Sequence, residues 1–200
     1  MKILIIGGHG TIGSAVSSAL SEKHEIIIAG RSKGDITVDL AQADSIEAMF
    51  GKVGKVDAVI CIAGAVVWAP LVKLTENDFY NGIKNKMMGQ VNLVRTALNF
   101  INPKGSITLT TGILGDYPVY MTSAAALING GINSFVKAVA IELENGIRIN
   151  AVSPGMVEDS VDRLGSYFPG YNAVTMERTV NGYIRSVEGR ITGEVIRIYQ

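Results

Sequence analysis

A doubly wound α/β fold is what this sequence predicts: a parallel sheet of about seven strands with helices on both faces, a three-layer α/β/α sandwich. Three observations predict it. Short β-branched runs alternate with longer segments of helical period, as parallel βαβ units do. The first of these runs, Ile3 to Ile6, ends in Gly7-Gly8-His9-Gly10-Thr11-Ile12-Gly13, a glycine-rich turn leading into an amphipathic helix. The chain of 200 residues, 48% of them hydrophobic, is long enough to enclose a core and has no repeat, low-complexity tract or linker, so residues 1–200 read as one domain.

The elements follow in order. Ile3 to Ile6 is a buried first strand, after which Ile12, Ala15, Val16, Ala19 and Leu20 fall on one face of a helix. Glu25 to Ala29 is a second strand, Ile36 to Val38 a short third and Val56 to Cys61 a fourth. Gly30 to Asp35 is short for a parallel crossover, which usually needs about a dozen residues. Either the helix there is reduced to a turn, or the third strand is marginal. Thr75-Glu76-Asn77-Asp78 resembles a capping box opening a long helix, with Phe79, Ile83, Met87, Val94 and Leu98 on one face. Ser106 to Thr110 is a fifth strand. A helix over Thr122 to Glu144 stops at Asn145-Gly146. Ile147 to Val152 is a sixth strand, Met176 to Val187 a last helix and Glu194 to Tyr199 a final strand.

Charge excludes some functions. Eighteen basic and eighteen acidic residues give a net charge of zero, and the basic residues are scattered singly, which argues against nucleic-acid binding. The apolar start is too short for a signal-peptide core or a membrane span, and no later stretch reaches spanning length. One cysteine, Cys61, precludes an internal disulfide, and the two histidines, His9 and His24, lie too far apart for a metal cluster. A cytoplasmic protein with no bound metal and no membrane partner is expected.

The strand–glycine turn–helix order points to a Rossmann-like dinucleotide site. Glycines at Gly7, Gly10 and Gly13 allow a tight turn, close approach of the backbone to a pyrophosphate and close helix–strand packing. His9, Thr11 and Ile12 complete the loop that brings phosphates to the positive end of the helix. No GKS or GKT follows, which disfavours nucleotide-triphosphate hydrolysis. At the end of the second strand, where an acidic residue would serve the ribose of NAD, the sequence has Arg31-Ser32. Arg31 could pair with the 2′-phosphate of NADP and Ser32 add a hydroxyl, so NADP(H) is preferred over NAD(H).

In its motifs the chain resembles the short-chain dehydrogenase/reductase family. Gly7, Gly10 and Gly13 match the phosphate-loop glycines. Asp39-Leu40 matches the acidic position that contacts adenine, and Cys61-Ile62-Ala63-Gly64 stands where the family has Asn-Asn-Ala-Gly. Gly146-Ile147-Arg148-Ile149-Asn150-Ala151-Val152-Ser153-Pro154-Gly155 is the most specific match, and Ile191-Thr192-Gly193-Glu194-Val195-Ile196 matches the last strand. The resemblance implies Ile62, Ala63, Gly64, Pro154, Gly155 and Val157 beside the cofactor, with the Val157 backbone meeting the nicotinamide amide. It also implies a substrate lid over Asp159 to Asn172, a small-molecule substrate and a homodimer or homotetramer through the two long helices. Trp68 and Met87-Met88 are expected to be core or subunit contacts.

The catalytic set implied by the resemblance is incomplete. The family uses a Tyr-x-x-x-Lys pair, a serine and an asparagine. The tyrosine exchanges a proton with the substrate oxygen, and the lysine lowers its pKa and holds the ribose. Ungapped counting puts Ala125 at the tyrosine position, Asn129 at the lysine position, Thr111 at the serine position and Lys86 at the asparagine position. Tyr120 would have to move five residues along the helix to fill the gap. Thr111, Tyr120 and Lys86 are therefore the candidate catalytic residues, with Tyr117 beside Tyr120 in the preceding loop. Burial could bring the Lys86 pKa toward working pH, and Asn129 could hydrogen-bond a ribose hydroxyl. Two functions stand: a carbonyl/alcohol oxidoreductase with a non-standard proton donor, or a dinucleotide-binding or sensing protein without turnover.

Overall fold

The computed structural model describes residues 1–199. Seven parallel strands form one sheet in the order β3-β2-β1-β4-β5-β6-β7. These are β1 (Lys2–Ile6), β2 (Glu25–Gly30), β3 (Ile36–Thr37), β4 (Val56–Cys61), β5 (Ile101–Thr110), β6 (Arg148–Pro154) and β7 (Val195–Ile198). The order reverses between β1 and β4, and an open sheet of this kind has its crevice at that switch, beyond the carboxyl ends of the strands.

The alternation of strand side chains explains the two main layers. On β1, Leu4 and Ile6 face a core with Met49, Phe50, Leu93, Ile107 and Ile132. Ile3 and Ile5 face the other way, against Val16, Leu20, Ile60 and Tyr183. Because both faces are covered, the central strands read as continuous apolar runs. The first layer is carried by α2 (Ala43–Val53), α4 (Gly89–Ala97) and α5 (Ser123–Ala140), and the second by α1 (Thr11–Ser21) and α7 (Met176–Glu188).

The structure departs from the sequence pattern in several places. Helix α2 is an addition; it buries Ile46, Met49, Phe50 and Val53, and Phe50 stacks on Phe100 at 5.2 Å between ring centroids. Both readings of the Gly30–Asp35 crossover hold at once. The connection is a turn, tied by the Ile28 N–H donating to Asp35 Oδ2 at 2.8 Å, and the third strand is two residues long. Strand β5 starts at Ile101 rather than Ser106, with Lys104 at φ 65° and a register irregularity opposite Val56 and Ala58. Helix α5 ends at Ala140, short of Glu144, and Asn145 and Gly146 then take left-handed φ values of 56° and 71°.

The capping box is formed: Thr75 Oγ1 accepts from the Asp78 N–H and Asp78 Oδ2 accepts from the Thr75 N–H, opening α3 (Glu76–Gly82). The long helix is not continuous, since Ile83–Met88 forms a π-helical turn between α3 and α4. Leu98, expected on the buried face, is 39% exposed just past the end of α4. Among the described residues no helix is long and apolar enough to cross a membrane.

Candidate active site

Two cavities lie along the carboxyl ends of the strands and meet at Gly64 and Ala65. One, of about 580 Å³, runs from the glycine turn to α3 and is walled by Gly7, Arg31, Val38, Leu40 and Ala63. The other, of about 400 Å³, is bounded by Lys86, Thr111, Ala125, Asn129, Pro154 and Gly155.

The glycine turn is shaped by contact. A Cβ on Gly13 would stand 2.1 Å from the Gly7 carbonyl oxygen, so only glycine lets α1 start this close to the loop. The Gly7 carbonyl instead accepts from the Gly10 N–H at 3.0 Å. The N-cap of α1, Gly10, makes no side-chain cap, and no acidic residue stands in the first turn. The leading N–H groups at Thr11, Ile12 and Gly13 therefore lack an intrahelical partner, an arrangement suited to phosphate oxygens. His9 and Thr11 are exposed and Ile12 is half-buried.

At the outer end of the first cavity, Arg31 reaches Asp39 Oδ1 at 3.4 Å, a loose and solvent-facing pair. Asp39 is fixed by its neighbours: its N–H donates to Ser45 Oγ and its Oδ1 accepts from the Ala41 N–H. Ser32 is exposed in the same loop. Leu40 is buried beneath the cavity and packs on Gly89 at the start of α4. The Ile62 N–H donates to the Ile6 carbonyl, carrying the β4 chain past β1 into Ala63 and Gly64.

Thr111 follows β5. Its N–H donates to the Val152 carbonyl at 2.9 Å, while its Oγ1, in a residue only 6% exposed, has no hydrogen-bond partner. A buried hydroxyl without a partner costs free energy unless something else meets it. Lys86 enters from the π turn. Its Nζ donates to Asn129 Oδ1 at 2.9 Å, and a Cβ on Gly64 (φ 117°) would stand 2.7 Å from the Lys86 Cγ. Burial pushes the Lys86 amine down from 10.5 to about 8. Burial likewise pushes the neighbouring Cys61 thiol up to about 11, so it supplies no counter-charge at neutral pH.

Ala125 and Asn129, one turn apart on α5, are each 3% exposed and face this cavity with Thr111 and Lys86. Tyr120 is not with them: it is 74% exposed and absent from the cavity wall. Tyr117 is also exposed and turns its ring edge-on to Tyr199, 5.8 Å away. Val157 is 4% exposed and bridges to Val174, closing the intervening segment into a loop beyond the carboxyl end of β6. That loop contains α6 (Val161–Leu164) and places Arg163, Leu164 and Phe168 against the second cavity. Trp68 lies there too, edge-on to Tyr167 at 5.5 Å and packed, as a core contact, against the small apolar cluster of Ile113, Leu114, Ala125 and Phe168. The sequence pattern carries no signal for Arg163 and Phe168 beyond their place in the expected lid.

Comparisons with known proteins agree with this architecture. The family model for enoyl-(acyl carrier protein) reductase matches residues 11–185. A short-chain dehydrogenase/reductase of Stachybotrys chlorohalonatus, ATR9, is 31% identical over 184 residues, covering 77% of this chain and 72% of its own length. The crystal structure of lin1944 from Listeria innocua shares 44% identity with a TM-score of 0.98 and covers 100% of both chains. A small-chain dehydrogenase solved in complex with NADPH shares 26% identity and a TM-score of 0.88, over 100% of this chain and 96% of that one. On these matches, and on the sheet order and glycine turn, the chain belongs to the short-chain dehydrogenase/reductase family, whose members bind a nicotinamide dinucleotide.

Proposed function

We propose that this protein is an NADP(H)-dependent oxidoreductase that interconverts a carbonyl and an alcohol, with Lys86 exchanging the proton. One observation carries the reading: Thr111, whose buried hydroxyl has no partner, and Lys86 line the same cavity. The bound dinucleotide supplies or accepts a hydride at the substrate carbon. Thr111 Oγ1 donates a hydrogen bond to the substrate oxygen and orients it. Asn129 Oδ1 accepts one Lys86 N–H and leaves two donors for the substrate oxygen and a ribose hydroxyl. In reduction the Lys86 ammonium gives up a proton to the new alkoxide; in oxidation the neutral amine takes it back. The family uses a phenol for this exchange and a lysine on the next helical turn. Here the amine comes from the π turn and an amide takes the lysine's place.

Cofactor contacts are assigned on the same reading. The glycine turn from Gly7 to Gly13 cradles the pyrophosphate, Leu40 and Asp39 flank adenine, and Arg31 with Ser32 meets the 2′-phosphate. Ile62, Ala63 and Gly64 pass beneath the ribose, and Pro154, Gly155 and the Val157 backbone face the nicotinamide. Tyr120, exposed and away from the cavity, takes no part. The exposed Leu127 and Ile141 of α5 and its C-terminal cap, 50% and 88% accessible, suit a homodimer through the long helices, which sedimentation of Leu127→Glu against the parent tests.

Steady-state assays of Lys86→Gln, Thr111→Val and Tyr120→Phe on carbonyl substrates with NADPH test the mechanism. Lys86→Gln should lose about a hundredfold or more in kcat, the usual range for removing a general acid, with Thr111→Val intermediate and Tyr120→Phe unchanged. Full activity in Lys86→Gln would remove Lys86 from the mechanism. Dinucleotide binding without turnover of any carbonyl or alcohol would favour a nucleotide-binding role instead.

A further inference from the structure

The second cavity is selective in what it offers a ligand. At about 400 Å³ it is near the small end of the range for small-molecule sites, and the reacting ring of the dinucleotide must share it. The remaining walls are apolar: Trp68 and Phe168, edge-on at 6.3 Å between ring centroids, and Ile113, Leu114 and Ala125, which pack with them in one cluster. Where the family carries a phenol ring, Ala125 leaves space.

The charges are one-sided. Among the described residues no carboxylate lines this cavity, whereas Lys86 and Arg163 both do. Lys86 is held by Asn129 beside Thr111. Arg163 is exposed at the rim on α6 and makes no ion pair or hydrogen bond among the described residues. A permanent cation at the mouth of an apolar cavity, in no ion pair among the described residues, favours an anionic ligand that can also bury a ring.

Building on the function proposed above, we propose that the substrate is a ring-bearing ketone, or the corresponding alcohol, that carries a carboxylate. Its ring packs on Trp68, Phe168, Ile113 and Leu114, its oxygen meets Thr111 and Lys86, and its carboxylate meets Arg163 at the rim. Ala125 is then a specificity-determining residue, because its small side chain makes room for the ring. The bulk of a tyrosine at this position would compete with that ring.

Trp68 is the only tryptophan in the chain, so ligand entry can be read from intrinsic fluorescence without any turnover. The full chain, saturated with NADP⁺, is titrated with 4-acetylbenzoate, acetophenone, 4-acetyl-N,N,N-trimethylanilinium and the open-chain 4-oxopentanoate. We expect 4-acetylbenzoate to bind up to about fivefold more tightly than acetophenone, the upper end for a solvent-facing ion pair. The cation should bind weakest, and 4-oxopentanoate should fall behind 4-acetylbenzoate. In Arg163→Gln the preference for the carboxylate should vanish while acetophenone binding stays the same, and Arg163→Lys should restore part of it. Ala125→Tyr should weaken both aromatic ketones.

Equal binding of acetophenone and 4-acetylbenzoate, or a carboxylate preference that survives in Arg163→Gln, would overturn the proposal. Binding of 4-oxopentanoate as tight as that of 4-acetylbenzoate would overturn the ring requirement. The two readings fail separately. Arg163-dependent binding without turnover defeats the catalytic assignment alone, whereas Lys86-dependent turnover of neutral ketones with no role for Arg163 defeats this one alone.

Discussion

An amine that ordinarily titrates at 10.5 is brought to about 8 at Lys86, because burial penalises its charged form and no carboxylate stands near enough to offset the cost. The direction of the shift fixes the pH profile. Below about 8 the ammonium predominates and can donate, so the rate of carbonyl reduction should be flat there and fall as pH rises through that value. Alcohol oxidation needs the neutral amine and should rise through the same interval. Measuring kcat in both directions from pH 6 to 10 checks this, and the inflection should be missing from the residual activity of Lys86→Gln. An inflection that persists in the variant belongs to another group. The positions around this amine are legible in the sequence because they lie at fixed distances from motifs: Thr111 one residue past β5, Ala125 and Asn129 a gapless count before Pro154-Gly155, Lys86 three before Gly89. Trp68, Arg163 and Phe168 are not legible this way. They sit on irregular segments or a single short turn of helix, where packing across the fold rather than a local period decides which side chains meet. Tyr120 shows the same limit from the other side, since its nearness in sequence to α5 says nothing of where its ring points.

Elements are legible through periodicity, and periodicity fails where an element is short or altered. The expectation for β1, α1, β4 and α7 matches the structure closely because each buries a full apolar face. Helix α2 has the same signal, with Ile46, Met49, Phe50 and Val53 at helical spacing, but Gly51 and Gly54 interrupt it and mask its end. The π turn leaves no such trace. Its extra residue rotates the helix beyond it by about 100°, the step per residue of an α-helix, and so sets the direction of Lys86 relative to α4. Asn85 Nδ2 donates to the Asn81 carbonyl at 2.8 Å and occupies a backbone acceptor in this stretch. The α1 junction allows a sharper test. Alanine at Gly13 places a methyl group 2.1 Å from the Gly7 oxygen, whereas at Gly10 the same contact is 3.4 Å. Gly13→Ala should cost about 1–3 kcal/mol, the range for overpacking. Gly10→Ala should stay within about 0.5 kcal/mol. Thermal melts without ligand distinguish the two: equal midpoints would mean that the loop gives way and that close packing is not why glycine stands at residue 13.

At the scale of the molecule, the dinucleotide contacts proposed here come from the carboxyl ends of β1, β2, β3, β4 and β6, loops far apart in sequence. A ligand that binds them only in the folded state should stabilise the whole sheet, by about 2.7 kcal/mol at a concentration 100 times Kd. For a chain of this size that corresponds to a rise in Tm of roughly 5–10 °C. The cofactor preference can be read on the same scale. Arg31 is held only by a 3.4 Å contact with Asp39 in a solvent-facing position, so turning to a 2′-phosphate sacrifices little. A phosphate–guanidinium pair offers two parallel, charge-assisted hydrogen bonds in its place. NADP⁺ should therefore raise Tm more than NAD⁺ at equal concentration, and Arg31→Ala should bring the NADP⁺ effect down to the NAD⁺ level while leaving the latter unchanged. If NAD⁺ stabilises the parent chain as much as NADP⁺ does, Asp39 serves a ribose hydroxyl and the Arg31 contact is with Asp39 alone. If Arg31→Ala weakens both cofactors equally, Arg31 holds the loop rather than the phosphate, and the preference must be sought at Ser32.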